Sequence, residues 1–391
     1  MKAALNPVLS SAPVYPFAAL EERKAQLRAE GRTLHDFTLG DPLEPTPGFI
    51  REALLANVPE TSQYPTVAGR RSLREAIAEY CRRRFGVDLD PETEILPCSG
   101  AKEAVFHLPL ALIDRSSPKR TVVWGEPAYP VYERGASYAG AELHPVALGE
   151  AGGFLLDLRL LPEDVLGRTQ LAWINTPHNP TGAVTGRAAL ERLAEASHRH
   201  GFVLASDETY ADLHDGTPPP SLLEVTRENA LVIHSLSKRS GMTGYRSGFI
   251  AGDARLIAAL KRMRPSIGVA SPVFVQAAAE AAWSDDAHVD ERRRTFDAKR
   301  RLVLDLCREL GLEPLEGAAG LYAWIRVPSG FTSASYAARL LDEGVVVTPG
   351  GAFGPAGEGW FRVALVPRLG ELPSGLEAWR RAHLGAAAAF R

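Results

Sequence analysis

The sequence predicts an α/β fold in two domains: a large domain in which helices cover both faces of a mainly parallel sheet, and a smaller α+β domain. In the first two thirds of the chain, short apolar runs alternate with amphipathic helical stretches. Continuously apolar strands are typical of a parallel sheet that is buried between helices. The last third differs, because one long charged helix precedes several strand-like runs. A chain of 391 residues is long enough to bury two such cores.

The strands of the large domain are predicted from their apolar runs. In chain order they are "EILP", "RTVVW" at 120–124, "QLAWIN" at 170–175, "FVLAS" at 202–206, "LVIHSL" at 231–236 and "SGFIAG" at 247–252. Between two of them, "GRAALERLAEASHRHG" at 186–201 has apolar residues at helical spacing and a glycine at each end. This pattern predicts an amphipathic helix.

The smaller domain is predicted from the C-terminal third. The segment "VDERRRTFDAKRRLVLDLCRELG" at 289–311 predicts a long amphipathic helix, with "ERRRTF" at 291–296 as a solvated face. The runs "GLYAWIRVP", "GVVVTPG" and "GWFRVAL" predict strands around a helix in "SYAARLLDEG". The N-terminal segment is too weakly patterned to fold alone, so we expect it to pack on this domain or on a partner chain. The predicted division is 1–46 for the N-terminal arm with part of the small domain, 47–285 for the large domain and 286–391 for the small domain.

Composition excludes several classes of function. The formal net charge of -3 gives no basic excess of the kind that nucleic-acid binding requires. Cys81, Cys98 and Cys307 are far apart, so neither a disulfide framework nor a zinc site is expected. No signal peptide and no run long enough to cross a bilayer is apparent. We therefore expect a cytoplasmic protein with small-molecule partners, without nucleic acid, membrane or metal.

Polar residues follow each predicted strand, where ligands bind in open α/β sheets. One such coincidence means little, but five in series predict a single site assembled from several loops. The segments, in chain order, are "CSGAKEAVFHLPLAL" with Ser99 and Gly100, "GEPAYPVY" with Tyr129, "NTPHNPTG" with Asn179, "DETY" with Asp207 and Tyr210, and "SKRSGMTGYR" with Lys238 and Arg246.

These residue types match the requirements of pyridoxal phosphate, which needs a lysine for an imine and a carboxylate for the pyridinium nitrogen. Lys238 and Asp207 could supply these two groups. The remaining residues suit the phosphate, the ring face and the phenolic oxygen. Helix amides, Ser235, Ser237 and Arg246 could bind the phosphate, Tyr129 could stack on the ring, and Asn179 and Tyr210 could hydrogen-bond the oxygen.

The chain resembles the fold-type-I aminotransferases of class I/II, the group that includes aspartate aminotransferase. The matching segments are "NPTG" at 179–182, "DETY" at 207–210, "SLSKRSGMTGYRSG" at 235–248 and "FRVAL" at 361–365. They occur in the family's order and span most of the chain. The resemblance implies an aspartate aminotransferase-like fold, a large domain that binds pyridoxal phosphate, and a homodimer with shared active sites.

The resemblance also implies residue roles. The catalytic residues would be Lys238, Asp207 and Tyr210. The other cofactor-binding residues would be Ser99, Gly100, Ala101, Lys102, Tyr129, Asn179, Ser235, Ser237 and Arg246, with Tyr64 reaching the phosphate in the neighbouring subunit. Arg362, Gly40 and Asn179 would bind the substrate, with Arg362 on its α-carboxylate.

Within the family, "SKRS", "GYRSGFIAGD", "GDPLEPTP", "YPTVAGRRSLREAI" and "ASPVFVQAAAEAAWSDDAHVDERR" resemble the succinyldiaminopimelate aminotransferases of bacterial lysine biosynthesis. This resemblance implies ping-pong transfer of an amino group between N-succinyl-LL-2,6-diaminopimelate and 2-oxoglutarate. Two alternatives stay open: an aspartate or broad-specificity aminotransferase, and a pyridoxal phosphate-dependent carbon-sulfur lyase. Candidates for binding the distal acid are Arg239, Arg70 and Arg71, and Val14 to Phe17 could form an apolar lid.

Plainer roles exist for the same residues. Lys238 could be a solvated loop lysine, Asp207 a helix cap and Arg362 a structural ion-pair partner. Tyr129 and Tyr64 could be core or interface aromatics. His178 and His234 are expected to pack or support the site, because transamination needs no histidine base once the lysine is free.

Overall fold

The computed structural model describes residues 3, 5–11, 18–268, 270–315, 317 and 319–389. Its α-helices are α1 (Pro7–Ser11), α2 (Ala18–Ala29), α3 (Gly48–Ala56), α4 (Arg71–Phe85), α5 (Ala101–Leu112), α6 (Val131–Ala139), α7 (Glu163–Arg168), α8 (Arg187–His200), α9 (Leu236–Arg239), α10 (Ala254–Met263), α11 (Val273–Ser284), α12 (Ala287–Leu310), α13 (Ser333–Asp342) and α14 (Leu372–Ala389). Its strands are β1 (His35–Asp36), β2 (Ile95–Cys98), β3 (Thr121–Glu126), β4 (Glu142–Ala147), β5 (Thr169–Asn175), β6 (Val203–Asp207), β7 (Ala230–Ser235), β8 (Gly248–Gly252), β9 (Tyr322–Arg326), β10 (Val345–Val346), β11 (Thr348–Pro349) and β12 (Trp360–Ala364). None of the helices within these residues is long and apolar enough to span a membrane.

A seven-stranded sheet forms the centre of the large domain, in the order β2-β8-β7-β6-β5-β3-β4. The five strands from β7 to β4 are parallel, whereas β8 runs antiparallel to both β7 and β2. The prediction of a mainly parallel sheet is confirmed. The sequence pattern missed β4, because this edge strand is largely exposed and carries polar residues.

Each face of this sheet has its own hydrophobic core, as a sheet between two helical layers requires. Along β5, Leu171 and Trp173 belong to one cluster of buried residues, whereas Ala172 and Ile174 belong to another. Successive side chains of a strand point to opposite faces, so both faces of β5 are apolar. This explains why "QLAWIN" reads as a continuous apolar run.

The smaller domain joins the two ends of the chain. Strand β1 pairs in parallel with β10, and the antiparallel strands β11, β12 and β9 form a second small sheet. Phe37, which follows β1, is fully buried in a cluster with residues of α12, α13 and α14. The N-terminal segment therefore packs on the smaller domain, while the domain limits at 46/47 and 285/286 stay a prediction.

One face of the long helix α12 is more buried than the sequence predicts. The run "ERRRTF" was expected to face solvent, but Arg292 and Phe296 are 6% and 3% exposed. They are four residues apart and therefore share one face of the helix. That face lies against the segment that carries Lys238, because Arg292 Nε donates a hydrogen bond to the Lys238 carbonyl at 3.3 Å. Helix α12 thus contacts the large domain through an arginine that periodicity alone assigned to solvent.

Candidate active site

A cavity of about 400 Å³ lies at the carboxyl ends of the parallel strands and extends to the smaller domain. Its lining combines segments that are far apart in sequence. The predicted site residues that line it are Gly40, Ala101, Lys102, Tyr129, Asn179, Asp207, Tyr210, Ser235, Ser237, Lys238, Arg246 and Arg362. The structure thus brings together the residues that follow five different strands.

Lys238 belongs to the short helix α9, which begins where β7 ends. Ser235 caps this helix by accepting a hydrogen bond from the Ser237 amide at 3.2 Å. The Lys238 ammonium donates a hydrogen bond to the Gly40 carbonyl. Burial lowers the pKa of Lys238 to about 8, and Arg246 and Arg362 act in the same direction. A substantial fraction of this amine is therefore neutral near physiological pH, as a nucleophile or base requires.

Asp207 ends strand β6 with its carboxylate buried. The carboxylate accepts hydrogen bonds from the Tyr132 hydroxyl at 2.9 Å and from the Thr209 hydroxyl at 2.6 Å. Burial raises the pKa of Asp207, and these two donors oppose the rise. Both of these hydrogen-bond donors are neutral, and His234 is the one cationic group among the causes that lower its pKa. A cationic group in the cavity would supply the missing charge.

A region of positive charge lies at the N-terminus of helix α5. The amides of Ala101 and Lys102 are in its first turn, where backbone N–H groups have no partner within the helix. Arg246 is nearby, because its guanidinium donates to the Ser99 carbonyl at 3.2 Å. Burial lowers the pKa of Lys102, and repulsion from Arg246 lowers it further. Two cations beside a helix N-terminus form a region of positive potential.

Gly100 determines how closely Arg246 can approach this helix. Its φ of 84° lies in the left-handed region that favours glycine. A Cβ atom there would meet the Arg246 guanidinium at 2.9 Å from Cζ, so a larger residue would displace the arginine. Ser99 and Gly100 therefore lie behind the lining and support it.

Arg362 lies on β12, on the side of the cavity formed by the smaller domain. Its guanidinium donates to the Asn179 side-chain oxygen at 2.8 Å and to the Thr38 carbonyl. It also lies over the rings of Tyr322 and Phe353, with centroid distances of 4.2 and 4.6 Å. A buried guanidinium with a fixed plane is suited to bidentate recognition of a carboxylate.

Several residues of the site were absent from the sequence-based set. Among them are Asn175, Thr209, Tyr322 and Phe353 in the lining, and Tyr132, which bonds Asp207. Asn175 precedes the motif "NPTG" by four residues and Thr209 lies within "DETY", so their position was a usable signal. Tyr132 and Tyr322 are aromatic residues in a helical and a strand-like run, and such residues are ordinarily interpreted as core.

Asn175 connects two of the predicted residues. Its side-chain oxygen accepts a hydrogen bond from the Asn179 amide at 2.7 Å, and its side-chain nitrogen donates to the Asp207 carbonyl at 2.9 Å. It therefore fixes the backbone of both motifs across neighbouring strands β5 and β6.

Tyr64 lies outside the cavity and is 94% exposed. A contact between Tyr64 and a phosphate therefore stays a prediction that requires a second subunit. Arg70 and Arg71 also lie outside the lining, and their side chains are near Glu280 and Glu75 respectively. The segment Val14 to Phe17, predicted as an apolar lid, is outside the described residues.

The proposal of Arg239 as a substrate-binding residue is wrong. Its side chain is buried beneath the site, where it ion-pairs with Asp212 at 2.8 Å and Asp286 at 2.6 Å. The guanidinium also lies over the rings of Tyr80 and Trp283. Adjacent residues of a short helix point in different directions, so Lys238 faces the cavity while Arg239 faces the core. The buried ion pair with Asp212 and the half-exposed pair with Asp286 stabilise the segment that carries Lys238.

The two histidines that were expected to have supporting roles are buried. His178 makes a 2.8 Å hydrogen bond with the Thr181 hydroxyl, and His234 stacks on Phe249 with centroids 5.0 Å apart. Neither lines the cavity.

The electrostatics of the cavity fit the cofactor that the sequence predicted. The region of Lys102 and Arg246 would hold the phosphate, and Asp207 would pair with a protonated ring nitrogen. Lys238 has a buried amine of lowered pKa for covalent attachment. Each of these features meets an opposite or reactive group of pyridoxal phosphate, and each carries an electrostatic cost without such a partner.

Comparisons with known proteins agree with this geometry. A family model described as "Aminotransferase class I and II" matches residues 33–371. The LL-diaminopimelate aminotransferase of Aquifex aeolicus is 38% identical over 361 residues, covering 90% of this chain and 92% of that protein. A double mutant of Thermus thermophilus aspartate aminotransferase has a TM-score of 0.90 at 29% identity, covering 97% of this chain and 100% of that one. A probable N-succinyldiaminopimelate aminotransferase from Thermus thermophilus has a TM-score of 0.87 at 30% identity, with coverages of 94% and 100%.

Proposed function

Because the chain belongs to the class I and II aminotransferases, which use pyridoxal phosphate, we propose that it transfers the amino group of a diaminopimelate to 2-oxoglutarate. The observation that carries this proposal is the position of a buried, weakly basic lysine between a carboxylate, Asp207, and a carboxylate-binding arginine, Arg362. Lys238 could hold the cofactor, Asp207 could pair with its ring nitrogen, and Arg362 could bind the carboxylate of the amino acid.

The residues around Lys238 would act on the cofactor as follows. Bound pyridoxal phosphate supplies an electron sink for the bond that breaks at the substrate Cα. Asp207 would keep the proton on the ring nitrogen, and its buried position would strengthen that ion pair. Tyr210 and Asn179 would hydrogen-bond the ring oxygen, and Tyr129 would cover one face of the ring.

The substrate would be oriented from the smaller domain. Arg362 would bind its α-carboxylate through both terminal nitrogens, beside the backbone of Gly40. The Lys238 amine, once released from the cofactor, would remove the proton from the substrate Cα and return a proton to complete the half-reaction. Its lowered pKa supports this role, because a base must be partly neutral at the working pH.

The identity of the amino donor rests on two kinds of similarity. The sequence motifs and the Thermus thermophilus structural relative point to N-succinyl-LL-2,6-diaminopimelate. The Aquifex aeolicus relative points to unacylated LL-diaminopimelate. Both donors carry at least one carboxylate far from the reacting α-carbon, and both belong to the route to lysine. We propose the succinylated form first, 2-oxoglutarate as the acceptor, and the cytoplasm as the location.

Half-reaction spectra of the purified protein would test the donor. We expect a diaminopimelate donor to convert the bound cofactor with a kcat/KM at least tenfold above that of aspartate, because the longer diacid makes more contacts in the transition state. The panel contains N-succinyl-LL-2,6-diaminopimelate, LL-diaminopimelate, glutamate and aspartate. Glutamate is the internal control, since the reverse half-reaction of 2-oxoglutarate must regenerate the starting spectrum.

A tenfold preference for aspartate would contradict the diaminopimelate assignment and would leave the aminotransferase assignment intact. Release of a 2-oxo acid and ammonia without any acceptor would contradict transamination as the main reaction.

We further propose that the active enzyme is a homodimer in which Tyr64 crosses to the partner's cofactor. The Tyr64 side chain is 94% exposed and so could reach a second subunit, as the resemblance to the family implies. Mixing unfolded and refolded Tyr64→Ala and Lys238→Ala chains should restore about a quarter of wild-type activity, because half of the dimers are hybrids with one intact site. The measurement is transamination rate per subunit.

The matched control mixes Lys238→Ala with Asp207→Asn chains. Both residues would belong to the same subunit's site, so no hybrid contains an intact site and no activity should return. Equal restoration in the two mixtures, or a wild-type chain that is fully active as a monomer, would contradict the shared site.

A further inference from the structure

Tyr322 lies where three predicted parts of the site meet. It is on β9, its side chain is 3% exposed, and it lines the cavity. Its hydroxyl lies 3.0 Å from the hydroxyl of Tyr210, and the Arg362 guanidinium lies over its ring at 4.2 Å. Its hydroxyl also lies against Gly40, where even a Cβ atom would overlap with it.

We propose that Tyr322 is a positioning residue that acts on both reactants, orienting Tyr210 toward the cofactor's ring oxygen and Arg362 toward the substrate carboxylate. This inference rests on the roles of Tyr210 and Arg362 in the proposed function. Nothing in the sequence patterns or the comparisons assigns a role to this tyrosine.

The hydroxyl of Tyr322 acts on Tyr210 through the direction of the hydrogen bond between them. Each tyrosine hydroxyl has one hydrogen to donate. If Tyr210 donates to the ring oxygen, it can only accept at the 3.0 Å contact, so Tyr322 is the donor there. A hydroxyl that accepts a hydrogen bond becomes a stronger donor, because hydrogen bonds in a chain polarise one another. Tyr322 would therefore strengthen the bond from Tyr210 to the ring oxygen.

The ring of Tyr322 acts on Arg362 by fixing the plane of its guanidinium. The Arg362 hydrogen bonds to Asn179 and Thr38 are made at its edge, and its face lies over the ring of Tyr322. A guanidinium over an aromatic face gains cation–π attraction, which increases when the pair is desolvated. The ring therefore favours one orientation of the plane, and bidentate carboxylate binding depends on that orientation.

Tyr322 also sets the distance between strand β9 and the loop that contains Gly40. The Gly40 carbonyl accepts the hydrogen bond from the Lys238 amine. Because the tyrosine hydroxyl occupies the space beside the Gly40 Cα, the position of this carbonyl depends on the tyrosine. The buried charged groups Asp207 and Arg362 act on the Tyr210 hydroxyl, and the Lys238 amine lies near the Tyr322 hydroxyl through its bond to the Gly40 carbonyl.

Two substitutions separate these effects. Tyr322→Phe removes the hydroxyl and keeps the ring over Arg362. Tyr322→Leu removes both and keeps an apolar side chain. The matched control is Tyr336→Phe, since Tyr336 is a buried tyrosine of the same domain whose hydroxyl bonds His383 and Trp379 outside the cavity.

The first readout is the pH titration of the visible absorbance of the bound cofactor, measured without substrate. The nitrogen that joins Lys238 to the cofactor shares its proton with the anionic ring oxygen. A weaker hydrogen bond from the protein to that oxygen stabilises the anion less, so this nitrogen keeps its proton to higher pH. We expect Tyr322→Phe to raise the spectroscopic pKa by roughly half a unit. Tyr210→Phe should shift it further in the same direction, and Tyr336→Phe should leave it unchanged.

The second readout is the Kd of a non-reacting dicarboxylic acid, measured from the same spectra. We expect Tyr322→Phe to retain wild-type affinity and Tyr322→Leu to lose about tenfold, as expected for one desolvated cation–π contact.

An unchanged titration in Tyr322→Phe would overturn the hydroxyl role, and an unchanged Kd in Tyr322→Leu would overturn the ring role. If Tyr336→Phe changed the spectroscopic pKa and the Kd by as much as the Tyr322 variants do, both effects would be general effects of packing and the proposal would fail. A wild-type protein without any titratable visible band would overturn the proposed function, and this inference with it.

Discussion

Replacing Lys238 with alanine is expected to lower the transamination rate by at least about 10⁴-fold, the upper range for loss of a general base, because the covalent anchor is lost as well. The cofactor should remain bound without a covalent bond, since the region of Arg246 and Lys102 and the carboxylate of Asp207 are unchanged. Denaturation should then release it as free aldehyde. The measurements are kcat and the cofactor recovered after gel filtration under native and denaturing conditions.

A matched control is Lys261→Ala. Lys261 lies on α10 and donates to the Glu92 carbonyl, away from the cavity. This variant should retain wild-type kcat. Normal turnover in Lys238→Ala would contradict the assignment of the attachment lysine, whereas its failure to bind any cofactor would contradict the assignment of the phosphate region.

Asp207→Asn is expected to lower kcat by at least about 100-fold while cofactor binding weakens far less. An amide cannot neutralise a protonated ring nitrogen, so the ring becomes a poorer electron sink. The phosphate contacts and the Lys238 linkage, which carry much of the binding, are not altered. The Tyr132 and Thr209 hydroxyls can still donate to the amide oxygen, so we expect the local structure to persist. The measurement is kcat per bound cofactor.

The control for this variant is Asp253→Asn. Asp253 is equally buried, but it caps helix α10 outside the cavity. Asparagine is a good helix cap, so neither stability nor kcat should change appreciably. A near-normal kcat for Asp207→Asn would show that this carboxylate has no electronic role.

Much of the large domain could be predicted because its strands are buried on both faces. A strand such as β5 then reads as one apolar run, and the polar residues after it mark the ligand edge. For the same reason the residues Asn179, Asp207 and Lys238 could be predicted to lie together. The edge strand β4 has no such signal, since one side faces solvent.

The missed parts of the site come from buried charges and aromatic residues. Arg292 follows two positions that read as solvated, yet it contacts the Lys238 carbonyl across the domain boundary. Tyr322 lies in a strand whose next three residues are core, and only its neighbours Tyr210 and Arg362 distinguish it. Arg239 was given the wrong role because spacing along the chain does not show that its side chain pairs with Asp212 in the core and with Asp286 at its edge. Such contacts depend on tertiary packing, which local patterns do not contain.

The pairing of β1 with β10 has a consequence for biosynthesis. His35 pairs with Val345, so β1 has no partner until the chain has been translated through β10. The large sheet is complete once Gly252 has emerged, and it can form while synthesis continues. Throughout that interval Phe37 lacks the apolar neighbours that bury it in the finished protein. Burial of the nascent N-terminal segment therefore depends on the late pairing of β1 with β10. Such pairing between residues far apart in sequence is slow.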